Sequence, residues 1–283
     1  MKNRRLEIVK KQVVLDKGFL FAAFFLLLII VASIVVEFID LDPYAIDVTA
    51  MLKGPSAEHW FGTDELGRDY FVRVLHGVRV SLLVGVLAMI TSVAIGVVIG
   101  MLSGYFGGII DSISMRIVDV FCAIPWIIMV TVISLLFKRG LVSIIIVIGF
   151  FSWMEIARLV RAETMSTKNR EYVQYAGLIG VAKVRIMVSH VLPTIFPVII
   201  TAATGAIASA IMVESSMSFL GIGIQPPIAS LGSLLKTAQM NLAKAPHMAF
   251  IPGLLIVLII CSFNKLGDLL RLYVEPWGIR KEK

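Results

Sequence analysis

Six long apolar runs determine what this chain can fold into. Each is uncharged except the fourth, which contains Glu155 and Arg158, and they cover Gly18–Val36, Val80–Ile110, Val120–Phe137, Gly140–Val160, Ile186–Val213 and Ala245–Asn264. A helix that spans a bilayer needs about 20 mostly apolar residues, because lipid tolerates only backbone whose hydrogen bonds are closed internally. The sequence therefore predicts an all-α membrane protein with six transmembrane helices.

The composition excludes a soluble globular domain. Hydrophobic residues make up 58% of the 283 residues and charged residues only 16%, whereas about a quarter of the residues in soluble domains are charged. We interpret the net charge of +7 as basic loops at the membrane and not as a nucleic-acid surface. Because Cys122 and Cys261 each lie inside an apolar run, no disulfide framework is expected. The first run is interpreted as a retained span and not as a cleaved signal peptide.

The distribution of basic residues indicates the orientation of the spans. With six spans, 18 of the 26 Lys and Arg residues fall on the side that holds both termini. Lys and Arg accumulate in cytoplasmic loops, so both termini are predicted to be cytoplasmic in a multi-pass protein of the cell membrane.

A seventh uncharged run, Ser215–Leu235, is not interpreted as a span. Its sequence GIGIQPPIASLG places three glycines and two prolines between residues 221 and 232, where a straight helix would have to continue. A seventh span would also move the basic C-terminus to the outside. We predict a partly re-entrant outer segment that is buried against the protein.

A polar, glycine-broken stretch separates the fourth and fifth spans. Residues 170–178 suit a short helix that ends in a left-handed conformation at Gly180. A second helix, residues 182–190, then leads to Pro193 in the first turn of the fifth span. Small Ala176 and Gly177 would allow another protein surface to approach, although an amphipathic loop at the lipid headgroups fits these residues equally well.

Five segments of the sequence resemble a known family. QYAGLIGVAKVRIMVSHVLP, residues 174–193, resembles the EAA loop of ABC-importer permeases. That loop has Glu-Ala-Ala, three residues, Gly, nine residues, Ile, one residue and Leu-Pro; the spacing is kept, and Gln174, Tyr175 and His190 depart from the family's Glu, Ala and Ile. The remaining segments are similar, in the same order, to the FGTDxxGRD-bearing partner of the dipeptide/oligopeptide/nickel permease pair: FGTDELGRDYFVRVLHGVRVSLLVG, GYFGGIIDSISMRIVDVFCAIP, VESSMSFLGIGIQPP and FNKLGDLLRLYVEP. The resemblance covers about residues 11–276, nearly the whole chain.

The resemblance implies a type I ABC-importer permease fold with a cytoplasmic coupling helix. It implies that the following residues contact an ATPase: Glu171, Tyr172, Gln174, Tyr175, Ala176, Gly177 and Gly180. Residues 1–78 would form an N-terminal segment with the first span and outer loop, 79–271 the permease domain, and 272–283 a cytoplasmic tail.

The resemblance also implies the partners and the cargo. The partners would be a homologous second permease, two cytoplasmic P-loop ATPases, an extracytoplasmic solute-binding protein and the lipid bilayer, with no nucleic acid. The expected cargo is dipeptides or oligopeptides, with nickel or glutathione as alternatives. Because the sequence has no G-x-x-x-x-G-K-[ST] motif, the ATPase is expected on a separate subunit.

Other residues suggest packing or transport roles. Gly96, Gly100 and Gly104, with Gly85 on about the same face, permit close helix approach, either within the chain or against a partner permease. Glu214 is an acidic residue in or near the membrane, where a charge carries a high cost in free energy. We assign it, with Ser218, to the translocation path or gating, while a structural role in bonding free amides of the following broken segment remains at least as compatible.

The remaining charged and titratable residues suggest no catalytic or metal site. Asp119 is expected to pair with Arg116 or to lie at the cytoplasmic interface, and the residues around Asp64 to form a salt-bridged, solvated turn. No histidine pair has metal-ligand spacing and no catalytic motif occurs, so neither an enzyme nor a cofactor is expected. An ion-coupled secondary transporter would need matched broken helices in two halves, and only one broken segment is present. A membrane scaffold would not need a coupling loop.

Overall fold

The computed structural model of the protein describes residues 16–39, 41–136 and 140–274. Most of the basic residues near both ends of the chain, on which much of the predicted orientation depends, lie outside the described residues, as does most of the predicted tail. Phe137, the predicted end of the third span, also lies outside them.

The described residues form helices joined by turns. The helices are α1 (Lys17–Val35), α2 (Tyr70–Phe106), α3 (Gly108–Ala123), α4 (Trp126–Leu136), α5 (Leu141–Lys168), α6 (Glu171–Leu178), α7 (Lys183–Phe219), α8 (Leu231–Met240) and α9 (His247–Val274). Five of them are long and apolar enough to cross a membrane, and the α3–α4 pair makes a sixth crossing if it is counted as one broken span. The predicted all-α fold is confirmed.

The third predicted span is not a straight helix. α3 and α4 meet at an angle of 87°, and Ile124 between them has an extended backbone (φ −90°, ψ 127°). Pro125 causes the break, because the residue before a proline is excluded from the helical region and the proline itself has no N–H to donate. The prediction of one continuous span from Val120 is therefore wrong.

α2 begins at Tyr70, ten residues before the predicted start at Val80. Its first three turns contain basic residues, which ended the uncharged run in the sequence, but one of them is neutralised within the fold. Arg73 lies with its Nε 3.1 Å from a carboxylate oxygen of Asp64. Asp69 caps the helix by accepting a hydrogen bond from the Val72 amide.

The loop before α2 is the predicted salt-bridged turn, but it is not solvated. Asp64 is only 1% exposed, and one of its oxygens lies 2.7 Å from Arg68 Nε. Asp69 also pairs with the His59 ring at 2.8 Å. Because these charges are matched by one another, they can be buried against the start of α2.

The glycines of α2 contact two different helices. A methyl group at Gly96, Gly100 or Gly104 would lie 2.6–2.8 Å from atoms of α5, including the carbonyl oxygens of Ala157 and Arg161. The same test at Gly85 meets Ile211 of α7 at 2.7 Å. The small side chains therefore serve packing within the chain, with α7 as the neighbour at Gly85 and α5 as the neighbour of the other three.

The predicted domain boundaries fall inside helices. The boundary after residue 78 lies within α2 and the boundary after residue 271 lies within α9. The division into three parts stays a prediction.

Candidate coupling segment and translocation cleft

The candidate coupling segment, residues 170–182, is α6 followed by a tight turn. Gly180 has φ +83°, its amide donates to the Gly177 carbonyl at 3.1 Å, and the Val181 amide donates to the Ala176 carbonyl at 3.1 Å. This pair of hydrogen bonds is the Schellman motif, which requires a left-handed residue after the helix. The predicted left-handed end at Gly180 is confirmed.

One face of α6 is anchored in the core. Val173 and Ala176 are buried in an apolar cluster with Met101 of α2 and with Ile186 and Val191 of α7. Ala176 is only 4% exposed, so it contacts the chain's own core and is not available to a second protein. Its small side chain serves internal packing instead, which corrects its predicted role.

The other face of α6 exposes apolar side chains, which we call the apolar tip: Tyr175, Leu178 and Ile179. Leu178 is 85% exposed, and the other two are more than half exposed. Glu171, Gln174 and Gly177 are exposed on the same short helix, and the space around Gly177 is open. The resemblance to the EAA loop did not indicate Leu178 or Ile179 as contact residues. Their position directly before the predicted turn at Gly180 could have indicated that they are exposed.

The chain after the turn is continuous with the following span. α7 runs from Lys183 to Phe219 and passes through a widened π turn at Met187–Val191. The regular α-helical part begins at Leu192 after the π turn, so Pro193 lies in its first turn as predicted, although the helix is continuous with the residues from Lys183. The π turn lies just before this proline, where the regular i→i−4 ladder would lack one donor.

Further contacts hold this end of the molecule together. The Tyr172 hydroxyl and Thr194 Oγ1 lie 2.8 Å apart and join α6 to α7. Arg161 of α5 donates to both oxygens of Asp111 in α3 at 2.5 and 2.6 Å, a bidentate geometry that fixes orientation. Asp119 pairs with Arg158 of α5 at 2.7 Å, so the predicted pairing with Arg116 is wrong.

A buried polar cluster lies at the opposite end of α7. Glu214 is 0% exposed and accepts hydrogen bonds from the hydroxyls of Ser81, at 2.9 Å, and Ser218, at 2.7 Å. Each hydroxyl in turn accepts a hydrogen bond from a backbone amide. The Leu231 amide donates to Ser81 at 3.2 Å, and the Ile224 amide donates to Ser218 at 3.0 Å. Both carboxylate oxygens therefore have donors inside the fold.

The cluster secures residues 220–230, which we call the Pro-Gly segment. The segment joins the end of α7 to α8, which packs back against α2, α7 and α9. The prediction that Glu214 bonds the free amides directly is wrong, because the two serine hydroxyls stand between. Ser81 lies 133 residues from Glu214 in the chain, and no sequence pattern indicated this contact.

An open cleft runs between the broken α3–α4 pair and helices α5, α7 and α9. Its volume is about 770 Å³. Most lining residues are apolar, and the polar side chains among them are Cys122, Ser152, Glu155, Ser209 and Asn264. Glu214 and Ser218 are buried and are not among the described residues that line it, and their role in the translocation path or gating stays a prediction.

Comparison with known proteins gives a consistent result. Residues 96–279 match the family described as binding-protein-dependent transport system inner membrane component. The chain is 40% identical over 258 residues to the glutathione transport system permease protein GsiD of Escherichia coli O1:K1 / APEC, covering 90% of this chain and 85% of the relative. The GsiD proteins of Escherichia coli strain UTI89 / UPEC and Shigella boydii serotype 4 show the same identity and coverage.

Proposed function

This chain belongs to the family of binding-protein-dependent transport system inner membrane components and is the permease subunit of an ABC importer, and we propose that it carries small peptides. Such a permease works with an ATPase and a solute-binding protein. Two features of the structure support a mechanism for this transport: an open cleft lies between the helices, and a short helix presents an apolar tip. The cleft would form half of the translocation path, and the short helix would receive the movement of the ATPase.

The cargo proposal rests on the relatives and on the size of the cleft. The relatives are named glutathione transport system permease proteins, and glutathione is itself a tripeptide. Small-ligand sites have volumes of roughly 300–1,000 Å³, and the cleft of about 770 Å³ is within that range. Uptake of labelled glutathione and of triglycine by cells that express the complete transporter tests the proposal. Uptake of neither peptide, with the transporter present in the membrane, would contradict it.

The coupling proposal rests on how α6 is held. Its inner face is fixed in the core by Val173 and Ala176, while its outer face leaves large apolar side chains in contact with solvent. Exposed apolar groups next to a rigid turn are typical of a surface that another protein covers. We therefore assign the apolar tip, with Glu171, Tyr172, Gln174 and Gly177 beside it, to the contact with the ATPase.

Gly180 provides the test of the coupling proposal. A methyl group at Gly180 would meet no atom within 4 Å, so only its φ of +83° restricts substitution. Valine is strained in that conformation, whereas asparagine adopts it readily. We expect Gly180→Val to insert and fold, yet to lose ATPase co-purification and at least about 90% of uptake, a tenfold effect.

The matched controls are substitutions at the same residue. Gly180→Asn should keep most uptake, and Gly180→Ala should be intermediate, in the order set by backbone strain. A loop that merely rests on lipid headgroups would leave all three variants with normal uptake. Normal uptake by Gly180→Val at normal expression would therefore contradict the coupling proposal.

The composition of the assembly and its orientation complete the proposal. We assign to the importer a second permease of similar size, two ATPase subunits, and cytoplasmic termini on this chain. Purification of the chain should recover the second permease. ATP binding by the chain alone would contradict the assignment of ATP binding to separate ATPase subunits. A cysteine placed at position 281 should resist impermeant thiol reagents in intact cells, and its labelling would overturn the orientation.

A further inference from the structure

Glu155 is a carboxylate near the middle of a membrane-spanning helix. α5 extends from Leu141 to Lys168, and Glu155 lies about 20 Å from either end at the helical rise of about 1.5 Å per residue. Its side chain is exposed, and it lines the open cleft. Charged residues inside membrane-spanning helices are rare and generally face a water-filled path or a partner.

Among the described residues that line the cleft, Glu155 is the one with a charge. Its surroundings are mainly apolar, and Ala202, Gly205 and Ala206 of α7 line the same cleft with small side chains that leave room for a ligand. Ser152, Ser209 and Asn264 add neutral hydrogen-bonding groups. Low-dielectric apolar walls focus the field of the carboxylate in the cleft, which strengthens its interaction with a cation.

The basic side chains on the next turns of α5 are already paired. Arg158 is bound to Asp119 and Arg161 to Asp111. Within the described part of the chain, Glu155 has no hydrogen bond or ion pair. A carboxylate without a partner in a mainly apolar cleft is costly, so the cleft favours the entry of a positively charged group.

We propose that Glu155 binds the α-ammonium group of a peptide as it passes through the cleft. This inference rests on the proposed peptide cargo. The ammonium group would donate charge-assisted hydrogen bonds to the carboxylate, while the serines and Asn264 are available to the neutral peptide groups. Because the free amino terminus is common to small peptides, the contact selects the class and does not depend on side-chain sequence.

The test uses the complete importer in proteoliposomes, with triglycine and glutathione as the probes. Glu155→Gln keeps the size of the side chain and removes its charge, Glu155→Asp restores the charge, and Glu155→Lys reverses it. The matched control is Glu163→Gln, the same chemical change two turns along α5 and outside the cleft. Initial uptake rates, ATP hydrolysis stimulated by the loaded binding protein, and co-purification of the second permease are measured for each variant.

We expect uptake of both peptides to fall roughly tenfold or more in Glu155→Gln, the loss of one charge-assisted contact, and further in Glu155→Lys. Glu155→Asp should recover part of the loss, and Glu163→Gln should resemble the unaltered chain. Stimulated ATP hydrolysis and co-purification of the second permease should be retained throughout. Those retained signals separate a failure of cargo passage from a failure of coupling.

Two results would overturn the inference while leaving the peptide importer intact. One is unchanged uptake in Glu155→Gln and Glu155→Lys. The other is loss of the second permease from these variants, which would make Glu155 a subunit-pairing residue. Failure of the unaltered importer to take up either peptide would instead overturn the proposed cargo and this inference together.

Discussion

The candidate coupling segment and the Pro-Gly segment both interrupt the apolar spans with glycine-rich sequence. They differ in how far their polar and apolar groups find partners within the chain. The Pro-Gly segment is tied to one buried carboxylate, because the amides of Ile224 within it and of Leu231 directly after it donate to Ser218 and Ser81, which in turn donate to Glu214. The candidate coupling segment has its backbone closed by a Schellman motif, yet it leaves large apolar side chains exposed. One interruption is therefore packed and hydrogen-bonded within the chain, whereas the exposed apolar side chains of the other are suited to contact with a second protein.

The largest stability effect is expected where the Pro-Gly segment depends on Glu214. Glu214→Ala removes the acceptor of two buried hydroxyls and leaves a cavity, so it should destabilise the chain by about 3 kcal/mol. Thermal unfolding in detergent, followed by loss of the monodisperse species, measures the change. Ser216→Ala is the control, because Ser216 is exposed and bonds only the Met212 carbonyl of its own helix. Equal melting temperatures for the two variants would contradict the dependence of the Pro-Gly segment on Glu214.

Substitution of glycine by alanine should have opposite effects at Gly232, in the first turn of α8 directly after the Pro-Gly segment, and at Gly177 in the candidate coupling segment. At Gly232 a methyl group would overlap the backbone of Ser215, whereas at Gly177 it would meet no atom within 4 Å. We expect Gly232→Ala to destabilise by about 2 kcal/mol through overpacking, and Gly177→Ala to stabilise by roughly 0.5–1 kcal/mol through helix propensity. The same thermal unfolding experiment compares them. Destabilisation by Gly177→Ala would show that α6 is packed more closely than its open surface indicates.

The smallest effect on the chain itself is expected at the apolar tip. Leu178 is 85% exposed, so Leu178→Ser should change stability by less than about 0.5 kcal/mol. Retention of the ATPase during purification should nevertheless fall, because an apolar contact would be lost at the proposed interface. Retention equal to that of the unaltered chain would remove Leu178 from the interface and weaken the contrast between the two segments.

Local features of the fold were largely predictable from the sequence. The all-α class follows from the apolar runs, and the first span was predicted to within one residue because Asp16 and Lys17 end its uncharged run. The left-handed Gly180 followed from the spacing of one glycine after a short helix. These predictions depend on interactions between residues close together in the chain.

Long-range pairing could not be predicted in the same way. Arg116 is three residues from Asp119, but the observed partner, Arg158, is 39 residues away on a neighbouring helix. The early start of α2 required knowing that Asp64 neutralises Arg73, and the role of Glu214 required knowing that Ser81 lies beside it. The cleft was missed for the same reason, since residues on five helices form it.

The continuity of α7 has a mechanical consequence. The helix is 37 residues long, which corresponds to about 55 Å; one end adjoins the turn at Gly180 and the other carries Glu214 and the start of the Pro-Gly segment. When a stiff rod of this length tilts by about 5°, its far end moves by about 5 Å, the length of one helical turn. Force applied at the Gly180 end would therefore act as leverage at the Glu214 end, through a helix whose π turn and Pro197 are the points where it can bend.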